Sequence, residues 1–510
     1  MSSRETLACL VATIGSGLGL ALAYPRVDLE ALAWVALAPL IVTALSRAPR
    51  AAFAWGWLAG SIFFFVLLRW LNFTFSVYSA IPWPLIYVPT LALAGYCALY
   101  VGLFAATLGW LATRRSPAWA LALAPFTWVS GEWIRGHFLG GFPWGLLGYS
   151  QYQALPVIQI AELGGAYAVS FVLVSANSAL AAMCVLPWRR AVKGMAAAAI
   201  LVGATLCFGA LRLAAEDARP GARAQVGLIQ PSIEQPLKFD PDHAARTLAI
   251  YVELSRHAAR DAPQLLVWPE TALPSPLRRD AMLRFLLVDL ARELRLPLLV
   301  GSIDISDRVP EQIRNSAFLV TAAGVQARYD KMQLVPFGEY VPLSALLGFV
   351  RGWAEFIADL EPGVRPLVFP GPPAPFGVVI CYEGIFPELV RKFVKDGARF
   401  MVNVTNDAWF GRTSGPAQHL AMYPFRAVEH RLAVVRAANT GISAVIAPSG
   451  RIARSLPLFE RGTLTSPIAL RATTTLYTRF GDWLAWLSLG VTAAGLAFGW
   501  TGRIAEGARA

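Results

Sequence analysis

One cysteine stands apart from the other four in this 510-residue chain. Cys381 lies in FGVVICYEGIFPELVR, residues 376–391, directly after an apolar run that is typical of a buried strand. The remaining cysteines all lie in long apolar segments: Cys9, Cys97, Cys184 and Cys207. By itself, Cys381 has three interpretations: a buried inert residue, a surface thiol, or a nucleophile. The adjacent Tyr382 and Glu383 favour chemistry, because a buried structural cysteine needs no such neighbours.

Two charged residues stand in similar settings earlier in the chain, Glu270 at the end of an apolar run and Lys331 after VQARYD. Glu270 ends LLVWPE, and Lys331 lies in YDKMQLVPFGEYVP. Each alone is more simply interpreted as a surface residue after a strand. Together with Cys381 they make a complete set, because a thiol nucleophile needs a base to take its proton. The resulting tetrahedral intermediate carries an oxyanion, which a lysine ammonium can stabilise.

The segment from 223 to about 470 must supply the elements that position these residues. It alternates short β-rich runs with helical patterns, such as those at 241–260 and 278–294. Four of the predicted strands are continuous apolar runs, as expected for strands buried on both faces: residues 224–230, 264–270, 376–383 and 399–407. This order predicts a layered α/β domain, a sandwich with helices outside two sheets. Strand ends are where such folds place their chemistry.

The rest of the chain has the composition of a membrane protein. Hydrophobic residues make up 56% of the sequence, charged residues only 15%, and the mean hydropathy is +0.52. Charge is almost absent from residues 1–215 and 480–502. We therefore predict membrane helices in 1–215, a catalytic domain over 216–475, and a last helix with a tail over 476–510. The net charge of +12 then reflects basic residues that flank apolar runs, and no basic stripe with interleaved aromatics indicates nucleic-acid binding.

Eight apolar runs are long enough to cross a bilayer as helices. They cover roughly 6–24, 29–46, 52–71, 86–113, 117–135, 162–187, 193–214 and 481–501. The first run also resembles a signal peptide, but the six apolar runs that follow it favour a retained helix.

The distribution of Lys and Arg predicts the orientation of these helices. With a cytoplasmic N-terminus, most basic residues of the short segments lie inside, among them Arg47, Arg50, Arg114, Arg115, Arg189 and Arg190. Seven spans then place 216–479 outside the cytoplasm, and the eighth returns the C-terminus to it. Glu132 and Arg135 share one face near the outer end of the fifth span, either as a structural ion pair or as a contact for a lipid head group.

The outer domain resembles the nitrilase superfamily of carbon–nitrogen hydrolases, on the order of Glu270, Lys331 and Cys381 after their β-runs. The whole chain resembles the bacterial apolipoprotein N-acyltransferases. This second resemblance rests on the eight apolar runs and on four motifs: LLVWPETALP, YDKMQLVPFGEYVP, CYEGIFPELVR and NVTNDAWFG...GPAQHLAM.

The resemblance implies an αββα sandwich and a role for each site residue. Glu270 would be the general base, Lys331 the stabiliser of the oxyanion, and Cys381 the nucleophile. Supporting residues would be Glu339, Tyr382 and Glu383. The predicted substrate-binding residues are Phe239, Trp409 and, from the aromatic-rich segment 343–364, Trp353 and Phe356. Phe239 departs from the family, which commonly has tryptophan at this position. The aromatic-rich segment 343–364 is interpreted as a lid or a membrane-facing loop.

The resemblance also implies a ping-pong reaction in the bacterial inner membrane. Cys381 would take an acyl chain from a phospholipid, typically phosphatidylethanolamine, and pass it to the α-amine of an N-terminal diacylglyceryl-cysteine on an apolipoprotein. The catalytic domain would lie on the periplasmic side, with both termini in the cytoplasm.

No cofactor is implied, and the five histidines are too scattered to predict a metal site: His137, His243, His257, His419 and His430. Two other functions remain open. One is a membrane-tethered amidase or nitrilase that hydrolyses a small amide, with water as the second substrate. The other is a transporter or lipid-binding module with an inactive outer domain, which predicts tolerance of Cys381→Ala.

Overall fold

The structure is a computed structural model that describes residues 3–217, 221–273, 275–307, 309, 312–342, 344–348, 359–470 and 473–501. The chain forms two compact units. The first comprises Met1–Arg69, Leu85–Ala215 and Phe480–Ala510, and the second comprises Trp70–Pro84 and Glu216–Arg479. The helices, in chain order, are α1 (Ser3–Leu22), α2 (Ala38–Leu45), α3 (Pro49–Leu67), α4 (Trp70–Tyr78), α5 (Tyr87–Arg114), α6 (Pro117–His137), α7 (Leu155–Ile158), α8 (Ala161–Val185), α9 (Trp188–Asp217), α10 (Gln235–Lys238), α11 (Ala244–Ala259), α12 (Ala281–Leu294), α13 (Ser344–Leu347), α14 (Pro387–Lys395), α15 (Gly415–Leu420), α16 (Tyr423–His430), α17 (Leu476–Phe480) and α18 (Trp483–Thr501).

Within the described part of the chain, six helices are long and apolar enough to cross a membrane: α1, α3, α5, α8, α9 and α18. The two other predicted spans correspond to a shorter apolar stretch, Glu30–Leu45, and to α6. The count of eight spans therefore stays a prediction.

Small residues allow these helices to pack closely, as expected inside a membrane. A Cβ atom on Gly56 of α3 would lie 2.7 Å from the carbonyl oxygen of Val101 in α5.

Glu132 and Arg135 are both buried at the end of α6, and they hold the backbone that follows. Arg135 Nη1 donates to the carbonyl oxygens of Phe142 and Trp144, both at 2.6 Å. Glu132 Oε1 accepts from the Leu147 N–H, also at 2.6 Å. These contacts give both residues a structural part in fixing the irregular segment after α6, where backbone groups need partners.

The second unit contains two mixed six-stranded sheets, with the orders β12-β1-β2-β3-β4-β5 and β11-β10-β9-β8-β7-β6. Their strands are β1 (Arg223–Gln230), β2 (Leu265–Val267), β3 (Leu298–Ile305), β4 (Ile313–Thr321), β5 (Gly324–Asp330), β6 (Val368–Phe369), β7 (Phe376–Ile380), β8 (Phe400–Thr405), β9 (Ala433–Ala438), β10 (Ala444–Ile446), β11 (Ile452–Ser455) and β12 (Gly462–Ala469). Each sheet has three adjacent parallel strands, β1-β2-β3 and β7-β8-β9.

The alternation of side chains along each strand builds the layers of this unit. Leu265 and Val267 of β2 point into a core that they share with Val378 and Val402 of the other sheet. Leu266, on the opposite face of β2, packs with residues of α11 and α12. The period of two along a strand therefore supplies one core between the sheets and another beneath the outer helices. The predicted nitrilase-like arrangement, with two sheets and helices outside them, is confirmed.

Candidate active site

Three predicted site residues lie within three residues of the ends of strands. Glu270 follows β2 by three residues, Lys331 follows β5 directly, and Cys381 follows β7 directly. β2 and β7 are apolar and fully buried, so the polar residues that follow them stand where the apolar runs stop. β5, with the sequence GVQARYD, is largely polar and lies at the edge of its sheet.

Lys331 is the centre of a buried charge cluster, with only 1% of its surface exposed. Its Nζ lies 2.7 Å from Oε1 of Glu339 and 3.5 Å from Oε1 of Glu270. Burial alone would lower the pKa of Lys331, but Glu339 and Glu270 together raise it above the usual value for lysine. The side chain is therefore held as an ammonium, the form that can stabilise an oxyanion.

Two further residues fix Glu270. Asn315 Nδ2 donates to Oε1 of Glu270 at 2.7 Å, and Lys238 Nζ donates to its main-chain oxygen at 2.8 Å. Lys238 is itself buried, and burial lowers its pKa to about 8 although Glu270 and Cys381 favour its charged form. The two lysines of the site thus differ: Lys331 remains charged, whereas Lys238 loses its proton near pH 8.

Cys381 is partly exposed and begins a short 3-10 turn, Cys381–Ile385, with a backbone φ of +52°. A non-glycine residue rarely adopts this conformation, and such strain concentrates at functional sites. Burial, followed by the charge of Glu270, raises the pKa of the thiol, while Lys331 acts to lower it. The resting thiol is therefore protonated, and its activation requires a base.

Glu383 joins the turn of Cys381 to the end of β5. Its Oε2 accepts from the Ile380 N–H at 2.7 Å. Its Oε1 accepts from the Tyr329 hydroxyl at 2.7 Å and from two main-chain N–H groups, those of Met332 at 2.6 Å and Gln333 at 3.1 Å. Burial raises the pKa of Glu383 to about 7, against the lowering effect of these donors. The carboxyl group thus holds the strand ends that carry Cys381 and Lys331 in one arrangement.

Tyr382 also supports this turn, by packing. Its side chain is buried, and its ring meets that of Phe386 edge-on with centroids 5.0 Å apart.

A second buried cluster, to which the sequence analysis assigned no role, lies beyond the end of β8. Asp407 Oδ1 pairs with His419 Nδ1 at 3.0 Å, and Asp407 Oδ2 accepts from Arg436 Nη2 at 2.5 Å. Thr405 donates to Asp407 Oδ1 at 3.0 Å. Although burial opposes ionisation, Arg436 and His419 lower the pKa of Asp407 to about 2. The motifs NVTNDAWFG and GPAQHLAM hold three of these residues, Thr405, Asp407 and His419. The signal that could have identified the cluster is the presence of polar residues next to apolar ones in these motifs.

The predicted substrate-binding residues have different settings. Phe239 is half exposed, beside Lys238. Trp409 is partly buried and meets the ring of Tyr78 edge-on at 4.9 Å, while Thr74 of α4 donates to its carbonyl oxygen. Trp353 and Phe356 lie outside the described residues, as does much of the segment 343–364.

Comparisons with known proteins cover nearly the whole chain. Residues 16–179 match the family model of the apolipoprotein N-acyltransferase N-terminal domain, and residues 225–477 match that of the carbon–nitrogen hydrolases. The apolipoprotein N-acyltransferase of Geobacter metallireducens is 39% identical over 95% of this chain and 94% of its own length. That of Haemophilus ducreyi is 32% identical, over 96% of each chain.

The chain belongs to the apolipoprotein N-acyltransferase family. Membership in this family and the six apolar helices together indicate a membrane protein. Among solved structures, an amidase from Nesterenkonia sp. is 22% identical, with a TM-score of 0.39, over 54% of this chain and 98% of the amidase. The described residues contain no group of three or more His, Cys, Asp or Glu side chains that could hold a metal ion.

Proposed function

We propose that the protein transfers a fatty acyl chain from a membrane phospholipid to the α-amine of the N-terminal diacylglyceryl-cysteine of apolipoproteins. The donor would be phosphatidylethanolamine or a similar lipid. The observation that carries this proposal is the buried ammonium of Lys331, which forms ion pairs with both Glu270 and Glu339. The chain belongs to the acyltransferase family, and its apolar helices would hold both lipid substrates in the membrane.

In the first half of the reaction, Glu270 takes the proton of the Cys381 thiol, and sulfur attacks the ester carbonyl carbon of the phospholipid. A base is needed because the raised pKa of Cys381 keeps the resting thiol protonated. A C–S bond forms, and the negative charge on the carbonyl oxygen is stabilised by Lys331. The C–O bond then breaks, the lysophospholipid oxygen takes the proton back from Glu270, and an acyl thioester remains on Cys381.

In the second half, the neutral α-amine of the acceptor attacks the thioester carbonyl. A C–N bond forms, the C–S bond breaks, and Glu270 passes the amine proton to the departing sulfur. Water must be kept from the thioester, because its attack would make the enzyme a lipase. We assign this exclusion to the aromatic segment 343–364 with Trp353 and Phe356, and contact with the substrate to Phe239 and Trp409.

The proposed location is the bacterial inner membrane, with the catalytic unit on the periplasmic side and both termini in the cytoplasm. The basic residues on the segments assigned to the cytoplasm support this topology.

The decisive experiment is mass spectrometry of the purified full-length protein after incubation with phosphatidylethanolamine alone. We expect an acyl adduct on the Cys381 peptide that neutral hydroxylamine removes, and we expect none in Cys381→Ala. Cys184→Ala, which removes an exposed thiol, is the matched control. Absence of the adduct from the folded wild-type protein would refute the acyl-enzyme.

Addition of acceptor peptides then separates transfer from hydrolysis. A diacylglyceryl-cysteine peptide with a free α-amine should receive the acyl group, whereas the same peptide with an acetylated amine should not. If the acyl-enzyme instead releases free fatty acid, at the same rate with either peptide, the protein is a hydrolase.

A further inference from the structure

The main chain of Cys381 is held by a tyrosine from a separate helix. The hydroxyl of Tyr423, at the start of α16, donates to the carbonyl oxygen of Cys381 at 3.2 Å. Asn403 Nδ2 donates to the same oxygen at 3.3 Å. Tyr423 is 1% exposed, so its hydroxyl must find its hydrogen bonds within the protein.

The turn Cys381–Ile385 leaves room for the side chain of Tyr423 because it contains a glycine. A Cβ atom on Gly384, three residues after Cys381, would collide with the Tyr423 hydroxyl and ring. The absence of a side chain at Gly384 therefore lets the hydroxyl reach the carbonyl. This close approach is a second observation, independent of the hydrogen bond, that ties Tyr423 to the turn.

Tyr423 also contacts the buried cluster of Asp407, His419 and Arg436. Its hydroxyl lies 3.2 Å from His419 Nε2, and the guanidinium of Arg436 lies 5.5 Å from the centre of its ring. His419 is in turn paired with Asp407. A continuous chain of polar contacts thus runs from Asp407 through His419 and Tyr423 to the main chain of Cys381.

We propose that Tyr423 is a positioning residue for the nucleophile. By bonding the carbonyl oxygen, it holds Cys381 in its left-handed conformation and directs the thiol toward Lys331 and Glu270. The proposal rests on the proposed function, because it takes Cys381 to be the group that becomes acylated. It assigns a task to the cluster of Asp407, His419 and Arg436, which would stabilise Tyr423 without touching the substrate.

The test compares two substitutions that each remove one buried hydroxyl from the full-length protein. Tyr423→Phe removes the bond to Cys381. Tyr251→Phe is the matched control, because Tyr251 is equally buried and its hydroxyl has no hydrogen-bond partner in the described structure. The readout is the burst of p-nitrophenolate from p-nitrophenyl butyrate, which reports acylation of Cys381 without a lipid substrate.

We expect Tyr423→Phe to lower the burst rate constant about threefold to tenfold, as suits one buried hydrogen bond. The amplitude, the half-saturating ester concentration and the melting temperature should match those of Tyr251→Phe. A burst rate constant equal to that of the wild type would overturn the proposal. A loss of amplitude and melting temperature at an unchanged rate constant would also overturn it, because that pattern describes a structural residue.

A double-mutant cycle with Asn403→Ala adds a second test. If both side chains hold the same carbonyl group, each single variant keeps one bond, and the double variant should be slower than the product of the two single effects predicts. Simple multiplication of the effects would count against a shared role. A normal wild-type burst without a phospholipid-derived adduct would refute the proposed lipid donor, while the burst comparison would still decide the role of Tyr423.

Discussion

Lys331 lies closer to Glu339 than to Glu270, with its Nζ 2.7 Å from the nearer carboxylate oxygen of the first and 3.5 Å from that of the second. Glu339 therefore carries most of the ion pairing. This leaves Glu270, the proposed base, less tightly bound to the ammonium. The Val335 N–H, at 2.9 Å from Oε2, fixes the other oxygen of Glu339.

We predict that Glu339→Gln slows formation of the acyl-enzyme about tenfold or more, the equivalent of about 1.4 kcal/mol in transition-state stabilisation. Without the charge of Glu339, Lys331 is balanced by Glu270 alone, so Glu270 becomes a weaker base. The rate is measured as release of lysophospholipid in a single turnover. Glu293→Gln, which breaks the exposed pair with Arg256, is the control and should leave this rate unchanged. Equal rates in both variants would contradict the division of roles between the two glutamates.

A second prediction concerns pH and the buried Lys238. Because burial lowers its pKa from 10.5 to about 8, Lys238 carries its charge below that pH and is neutral above it. Loss of the ammonium removes an attraction that favours the thiolate of Cys381. The rate of acyl-enzyme formation should therefore fall as the pH rises through about 8.

The variants Lys238→Met and Lys238→Arg test this assignment. The first is neutral and the second is charged over the whole range, so neither profile should show a fall near pH 8 when measured from pH 6.5 to 9.5. Lys395→Met, at an exposed position, should retain the wild-type profile. A fall near pH 8 that persists in Lys238→Met would assign it to another group.

The sequence was informative where chemistry follows directly from an apolar run. Glu270 and Cys381 could be singled out because a strand buried on both faces tolerates polar side chains mainly at its end. Lys331 follows the mostly polar strand β5, and it was singled out only together with the other two. The nitrilase-like sandwich could be predicted for the same reason, since its strands and helices alternate with clear apolar patterns.

The partners of these residues could not be predicted, because they depend on pairing between distant strands. Asn315 lies inside β4, and it reaches Glu270, which follows β2, only because the strand order β2-β3-β4 brings the two residues together. β1 pairs with β12, which lies more than two hundred residues later in the sequence, and no local sequence pattern can predict such a pairing. The segment Trp70–Pro84 lies between apolar runs in the sequence, yet it groups with the catalytic unit, where α4 contacts Trp409 and Phe410.

A third prediction concerns the stability that Asp407 provides. Asp407→Asn should destabilise the catalytic unit by about 3–5 kcal/mol, because it leaves the buried guanidinium of Arg436 without its countercharge. Thermal unfolding followed by tryptophan fluorescence measures this effect. Asp289→Asn, which removes an exposed carboxylate, should change the unfolding temperature little.

The same residue sets an acid limit. The pKa of Asp407 is about 2 in the folded protein and 3.8 ordinarily, so its stabilisation is complete above about pH 4 and is lost as the pH falls toward 2. The difference in unfolding temperature between wild type and Asp407→Asn should therefore shrink over this interval. A constant difference would show that Asp407 contributes through packing instead of charge.

The last prediction concerns Phe239, which we propose contacts the substrate. Its ring is half exposed beside Lys238, so an aromatic face is available to a lipid without any need for an indole N–H. Phe239→Ala should raise the half-saturating concentration of phospholipid severalfold and leave the single-turnover rate at saturation unchanged. Phe239→Trp should retain the wild-type value, and Phe285→Ala, at an exposed position on α12, is the control for loss of a surface ring. If Phe239→Ala instead lowers the saturated rate with unchanged half-saturation, the ring acts on the reacting groups and not on lipid binding.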